Sequence, residues 1–376
     1  MEIYLDNAAT TRPSEKALNE YIRVSRDCYG NPSALHRLGF TAEKCVKTAR
    51  DRVARSIGSS EKEIVFTSGG TESDNLAIIG VAESLKHKGK HLITSKIEHH
   101  AVLHTFKYLE ANGYEVTYID CLPDGKIDLE HLKKSVRSDT TLISIMLVNN
   151  ETGVVQPLEK LKQIAPYAVI HSDCVQAYGK IPIDVNKLNI DLASFSAHKV
   201  HALKGVGALY IKKGTKIKPI TYGGDQEGIR SGTLNTAGIS AFGIEADKIS
   251  KSIYEMNEKL LIIRKTFIDE LIKNIPDVYV NGTDAVGILN VAFDGVRGEV
   301  LLHALETKGI YVSTGSACTS KSTKISHVLS AMNINQSLAE GSIRISFSAD
   351  LTEEEILITV EEIKNQVEIL RKFKRR

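Results

Sequence analysis

Short apolar runs alternate with amphipathic stretches through the first half of this chain, and no other feature narrows the fold as much. Residues 63–67, 91–94, 114–119, 141–147 and 168–171 read as strands. Between them, residues 71–84, about 100–112, 128–135 and 157–165 carry helical periodicity. A β-α-β-α rhythm of this kind predicts an α/β fold: a mostly parallel sheet covered by helices. The run 141–147 is almost wholly apolar, as a strand buried on both faces needs to be.

The second half reads differently. Ile253, Met256, Leu260, Ile263 and Phe267 fall at helical spacing in one long amphipathic segment from about 244 to 274, long enough to bridge two units. Strand-like 278–280 and 288–293, a helix at 299–308, a strand at 342–347 and a last helix at 352–373 then predict a smaller α+β unit. A chain of 376 residues is too long for one small core. The expected division is a large domain over 13–250 and a small domain built from 1–12 and 251–376.

Charge and cysteine usage exclude several classes. With 48 basic and 46 acidic residues, the near-balance gives no reason to expect direct nucleic-acid binding, and the basic stretch 371–376 reads as a solvated end. No apolar run reaches the length of a membrane span, so no membrane association is expected. The opening Glu2-Ile3-Tyr4-Leu5-Asp6 does not resemble a secretion leader, and the cytoplasm is the expected location. Cys28, Cys45, Cys121, Cys174 and Cys318 are scattered with no C-x-x-C pair, which argues against a disulfide framework or a metal site.

Polar clusters follow one strand after another, and in open α/β sheets ligands bind beyond the carboxyl ends of the strands. Thr67-Ser68-Gly69-Gly70-Thr71-Glu72 leads from a strand into a helix, where glycines and free N–H groups suit a phosphate. It lacks the G-K-[ST] of a nucleotide loop and is not a G-x-G-x-x-G fingerprint. Glu98-His99-His100, Val148-Asn149-Asn150-Glu151-Thr152-Gly153, His171-Ser172-Asp173-Cys174-Val175-Gln176 and Ser194-Phe195-Ser196-Ala197-His198-Lys199 close later strands. Each alone is explained as a turn or cap. Together they supply what pyridoxal 5'-phosphate requires: Lys199 for a Schiff base, Asp173 for the pyridinium nitrogen, Gly70 and Thr71 for the phosphate, and His99 to stack on the ring.

One thiol stands apart. Ser313-Thr314-Gly315-Ser316-Ala317-Cys318-Thr319-Ser320 is rich in small polar residues and reads as an exposed loop, whereas the other cysteines sit in apolar or amphipathic segments. A thiol there can act as a nucleophile. An aminotransferase on the same fold would need no such thiol. A selenocysteine lyase and a non-catalytic relative stay open as readings of the same residues.

These motifs, in this order from Tyr4-Leu5-Asp6-Asn7-Ala8-Ala9-Thr10-Thr11 to Ser342-Ile343-Arg344-Ile345-Ser346, resemble the cysteine desulfurases of the NifS/IscS type. Those are class V aminotransferase relatives among the fold-type I pyridoxal-phosphate enzymes. The resemblance implies conversion of L-cysteine to L-alanine, with the sulfur passing to Cys318 as a persulfide. It would then move to an acceptor such as an iron–sulfur scaffold or a tRNA-thiolation enzyme. It implies that Lys199 holds the cofactor, that His99 stacks and shuttles protons, and that Asp173 and Gln176 bond the ring nitrogen and ring hydroxyl. Gly70, Thr71, Ser196 and His198 would hold the phosphate, with Thr233 reaching the neighbouring subunit's phosphate in a homodimer. Asn150 and Arg344 would bind the substrate carboxylate, and no metal is implied. Two stretches depart from the family pattern: His201-Ala202-Leu203-Lys204-Gly205 lacks a glycine and a proline beside the lysine, and 226–233 is one residue short.

Overall fold

The computed structural model describes residues 2–224, 226–315 and 325–374. Its main sheet has seven strands among these residues, in the spatial order Ile64–Thr67, Gly207–Ile211, Leu192–Ser196, Val169–Asp173, Thr140–Ser144, His91–Ser95 and Glu115–Ile119. From Leu192–Ser196 to Glu115–Ile119 every pairing is parallel, while Gly207–Ile211 runs antiparallel to both of its neighbours. All other strands therefore point their carboxyl ends to one rim.

Successive residues of these strands enter opposite cores. Leu92, Leu142 and Leu209 join Leu76, Val81 and Phe106 on one face. Ile93, Ile143 and Tyr210 join Val53, Tyr178, Phe195 and Phe242 on the other. The period-two geometry of a strand, applied to an unbroken apolar run, fills both layers at once.

A third core collects Leu5, Phe267, Leu289, Phe293, Ile343, Ile345 and Ile363. It covers the antiparallel sheet Ser342–Ser346, Ile288–Phe293 and Val278–Asn281, together with the parallel pair Ile3–Tyr4 and Ile310–Tyr311. The helix Thr236–Asn274 joins the cores. Its 39 residues span about 58 Å at the standard rise. Phe242, Ala246, Ile249 and Ile253 are packed in the first core, and Leu260, Ile263, Phe267 and Leu271 in the third.

Several elements depart from their sequence expectations for identifiable reasons. The strand expected over 141–147 ends at Ser144, because the Met146 N–H donates to the Glu98 carboxylate instead of to a neighbouring strand. The long helix begins at Thr236, where Asn235 Oδ1 accepts from Gly238 N–H at 3.0 Å. Its glycine-rich start is a packing device: a Cβ at Gly243 would lie 2.7 Å from Ala49 Cα. Residues 157–165 split into a tight turn, Leu158–Lys160, and one helical turn, Leu161–Ile164. The helices Glu15–Asp27 and Arg37–Ser56 add to the expected elements; their buried stripes are narrow and largely alanine and valine, which leaves a weak signal. No helix of the described residues is long and apolar enough to cross a membrane.

Candidate active site

The strand Ile64–Thr67 feeds the helix Gly70–Leu85, whose N-cap, Gly69, makes no side-chain hydrogen bond to it. The first-turn amides therefore present partial positive charge toward the rim. Gly70 is confined there: a Cβ would stand 2.7 Å from Val175 Cγ2 and 3.7 Å from Ser196 Cβ. The backbone of the cradle is thus pressed against the ends of two other strands. Thr71 is exposed at the mouth, Ser196 is buried at the end of its strand, and His198 sits on the turn Ala197–Lys199. His198 Nδ1 lies 3.1 Å from Thr10 Oγ1. Burial and then the Lys199 charge push its pKa down to about 4, so its ring is neutral.

Lys199 is held at the centre of the rim. Its Nζ donates to Ala8 O at 2.5 Å and Ala9 O at 2.8 Å. Gln176 Nε2 donates to the same Ala8 carbonyl at 2.9 Å. Asp173 is buried at the end of Val169–Asp173 and accepts from Val175 N–H at 2.9 Å. Burial raises its pKa to about 6, against the opposing pull of that N–H and of Lys199. Near it lies Asp74, raised well above the usual carboxylate range by burial and by Asp173. Two carboxyl groups this deep favour a nearby cation.

His99 caps the helix His100–Ala111 by accepting from Ala101 N–H through Nδ1 at 3.1 Å. That bond leaves Nε2 as the protonated nitrogen of a neutral ring. Burial, then the charge of Lys199, pushes its pKa down to about 4. The preceding Glu98 is fully buried, accepts from Ser95 Oγ at 2.6 Å, and is raised to about 8 by burial.

A second group closes the site from the side of the third core. Arg344, on the strand Ser342–Ser346, donates Nη2 to Asp6 Oδ1 at 2.9 Å and Nη1 to Asn150 O at 3.0 Å. Its Nε and the Asn150 Oδ1 are buried and have no hydrogen-bond partner among the described residues. Glu151, raised to about 7 by burial, accepts from Ser326 Oγ at 2.5 Å. Thr233 is exposed and apart from this cluster in hydrogen bonding. Its stretch is tied back through Arg230 Nε to Glu72 Oε1 at 2.8 Å and through the Gln226 amide, which bonds both backbone groups of Phe66 at 2.7 Å. Cys318 lies outside the described residues.

The rim therefore gathers Gly70, Thr71, His99, Asn150, Asp173, Gln176, Ser196, His198 and Lys199 from successive strand ends, with Arg344 facing them. Asp6, the Ala8 and Ala9 carbonyls, Glu98 and Glu151 belong to the same network. They lie inside motifs that carry a sequence signal, but nothing in a motif says which carbonyl a lysine will meet. Lys180, buried beside Gln176, has no signal at all.

The aminotransferase class-V family model matches residues 3–358. A cysteine desulfurase IscS of Dictyoglomus turgidum is 46% identical over 380 aligned positions, covering 98% of this chain and 95% of that protein. One of Methanosarcina thermophila is 44% identical, covering 98% and 93%. Among solved structures, a NifS-like protein superposes with a TM-score of 0.92 at 38% identity, covering 98% of this chain and 100% of the other. The structure of SspA in complex with cysteine superposes with a TM-score of 0.82 at 34% identity, covering 93% and 99%.

Proposed function

The chain belongs to the aminotransferase class-V family and is a pyridoxal-phosphate-dependent cysteine desulfurase; we propose that Lys199, Asp173, His99 and Cys318 carry that activity. The observation that supports this division most is the meeting, on one row of strand ends, of a lysine amine, a buried carboxylate, a neutral imidazole and an open helix N-terminus.

The residues present fit the cofactor. The uncapped helix start and the confined Gly70 make a phosphate cradle, shared with Thr71, Ser196 and the neutral His198. Asp173 and the neighbouring acid want a cation, which a protonated pyridine ring nitrogen provides. When bound, pyridoxal phosphate supplies the electron sink for the bond broken at the α-carbon of the substrate. Lys199 would exchange its two carbonyl partners for the cofactor, and its amine, once displaced by the substrate, would move the α-proton. Gln176 would offer an amide N–H to the ring oxygen. His99 would stack on the ring, with its proton on Nε2, where it can be handed on. Arg344 Nε, which lacks a partner, and the Asn150 amide receive the substrate carboxylate. The thiolate of Cys318 attacks the sulfur of L-cysteine: the new S–S bond forms as the Cβ–S bond breaks, and Cβ takes a proton to give L-alanine.

The chain works as a homodimer with Thr233 reaching the partner's phosphate site. In support, Tyr29, Leu35 and Phe40, on one short stretch, are 70%, 105% and 67% exposed in the single chain. The sulfur then passes to an acceptor protein of iron–sulfur assembly or tRNA thiolation, in the cytoplasm. Its two domains are 13–250, and 1–12 joined with 251–376. The test is Lys199→Ala. The wild-type protein should release alanine from cysteine and carry covalently linked cofactor; the variant should do neither. Alanine formation by the variant would overturn the assignment.

A further inference from the structure

Lys180 carries a buried amine without a task in this scheme. It is 6% exposed, and it makes no ion pair among the described residues. Burial, followed by repulsion from Lys199 and Arg344, lowers its pKa to about 7. Burying an amine without a carboxylate partner costs stability that an apolar side chain of similar length would not. Packing alone does not call for a lysine here. The stem lies against Gly287, where a Cβ would be 3.0 Å from Lys180 Cδ, and the backbone carbonyl is held by Asn257 Nδ2 at 2.9 Å.

What the amine does touch is Gln176: Nζ donates to Oε1 at 3.2 Å. A primary amide can sit in two orientations related by a half turn. In the observed one, Oε1 faces the ammonium group and Nε2 donates to Ala8 O. With Lys180 protonated, the flipped one would set NH2 against the ammonium group and oxygen against a carbonyl oxygen, losing both bonds. The same Ala8 carbonyl also accepts from Lys199, so the donor edge of Gln176 and the cofactor lysine share one anchor. We propose that Lys180 is a positioning residue that locks the Gln176 amide with its NH2, and not its oxygen, available to the ring oxygen of bound pyridoxal phosphate. This rests on the reading that Lys199 and Gln176 hold that cofactor.

The readout is the visible absorbance of the bound cofactor against pH, which reports loss of the proton at its linkage to Lys199. An N–H donated to the ring oxygen draws charge from it and eases that loss. Lys180→Met should therefore move the titration upward, by about half a unit to one unit for one hydrogen bond. Gln176→Ala should move it upward too. Because Lys180 acts through Gln176, adding Lys180→Met to Gln176→Ala should produce no further shift. Lys180→Gln, which keeps a donor, should stay near the wild type, and Lys180→Leu, which removes the donor, serves the same cycle if the methionine variant does not fold. An unshifted Lys180→Met, or an equal shift in the Gln176→Ala background, would overturn the proposal while leaving the desulfurase reading intact. A wild-type protein with no cofactor absorbance would overturn both.

Discussion

Glu98→Gln should make the folded enzyme progressively more stable than the wild type as pH rises. Glu98 is wholly buried, and its pKa rises from 4.5 to about 8 because ionisation there is poorly solvated. Between these values the unfolded chain has released the proton and the native chain keeps it, so native stability falls with rising pH. A gap of roughly three and a half units corresponds to about 5 kcal/mol between the two limits. The amide is a near-isostere of the neutral acid and still offers one oxygen to Met146 N–H and Ser95 Oγ, the partners seen here. The variant lacks this proton, so the variant-minus-wild-type difference should climb between about pH 4.5 and pH 8 and then level off. Thermal melting of both proteins, with and without cofactor, across this range should separate them by several degrees at the alkaline end. Contributions from Asp74 and Glu151 largely cancel in the difference. A difference that stays flat, or that turns against the variant as pH rises, would refute the burial argument.

Asp173→Asn should still take up the cofactor but lose about a hundredfold or more in turnover, measured as alanine release, because the ring nitrogen loses the group that keeps it protonated. Arg344→Ala should raise KM for cysteine by about tenfold to a hundredfold, the value of a charge-assisted hydrogen bond, with cofactor absorbance unchanged. Replacing both Leu35 and Phe40 by glutamate should leave each chain folded by circular dichroism but shift sedimentation from dimer to monomer, with loss of activity.

The strand order and the site are legible in the sequence to different degrees. Apolar runs such as 91–94 and 141–147 are plain because a strand buried on both faces has no polar face to confuse the pattern. The strand Gly207–Ile211 is not among those expected, although its apolar run is readable; its reversed direction is what leaves no mark in composition. The helix Arg37–Ser56 is obscure because Ala42, Val46, Ala49 and Val53 form a thin stripe among charged residues. Within the site, Lys199, Asp173 and His99 stand out because each follows a strand and has a chemical reason to be there. Asp6 does not, although it holds Arg344 across a gap of 338 residues. Such partnerships depend on how the N-terminal segment is laid over the rim, with Thr11 N–H bonded to His198 O at 2.9 Å. That path is tertiary structure, and no local pattern announces it.

The central claim is that the cofactor site prepares the substrate and the thiol of Cys318 removes its sulfur. It is tested most directly by adding L-cysteine to purified wild-type and Cys318→Ala protein while following cofactor absorbance, protein-bound persulfide and alanine together. The account predicts that both proteins change colour on adding cysteine, but that only the wild type gains a persulfide and releases alanine catalytically. Full alanine turnover by Cys318→Ala would contradict it.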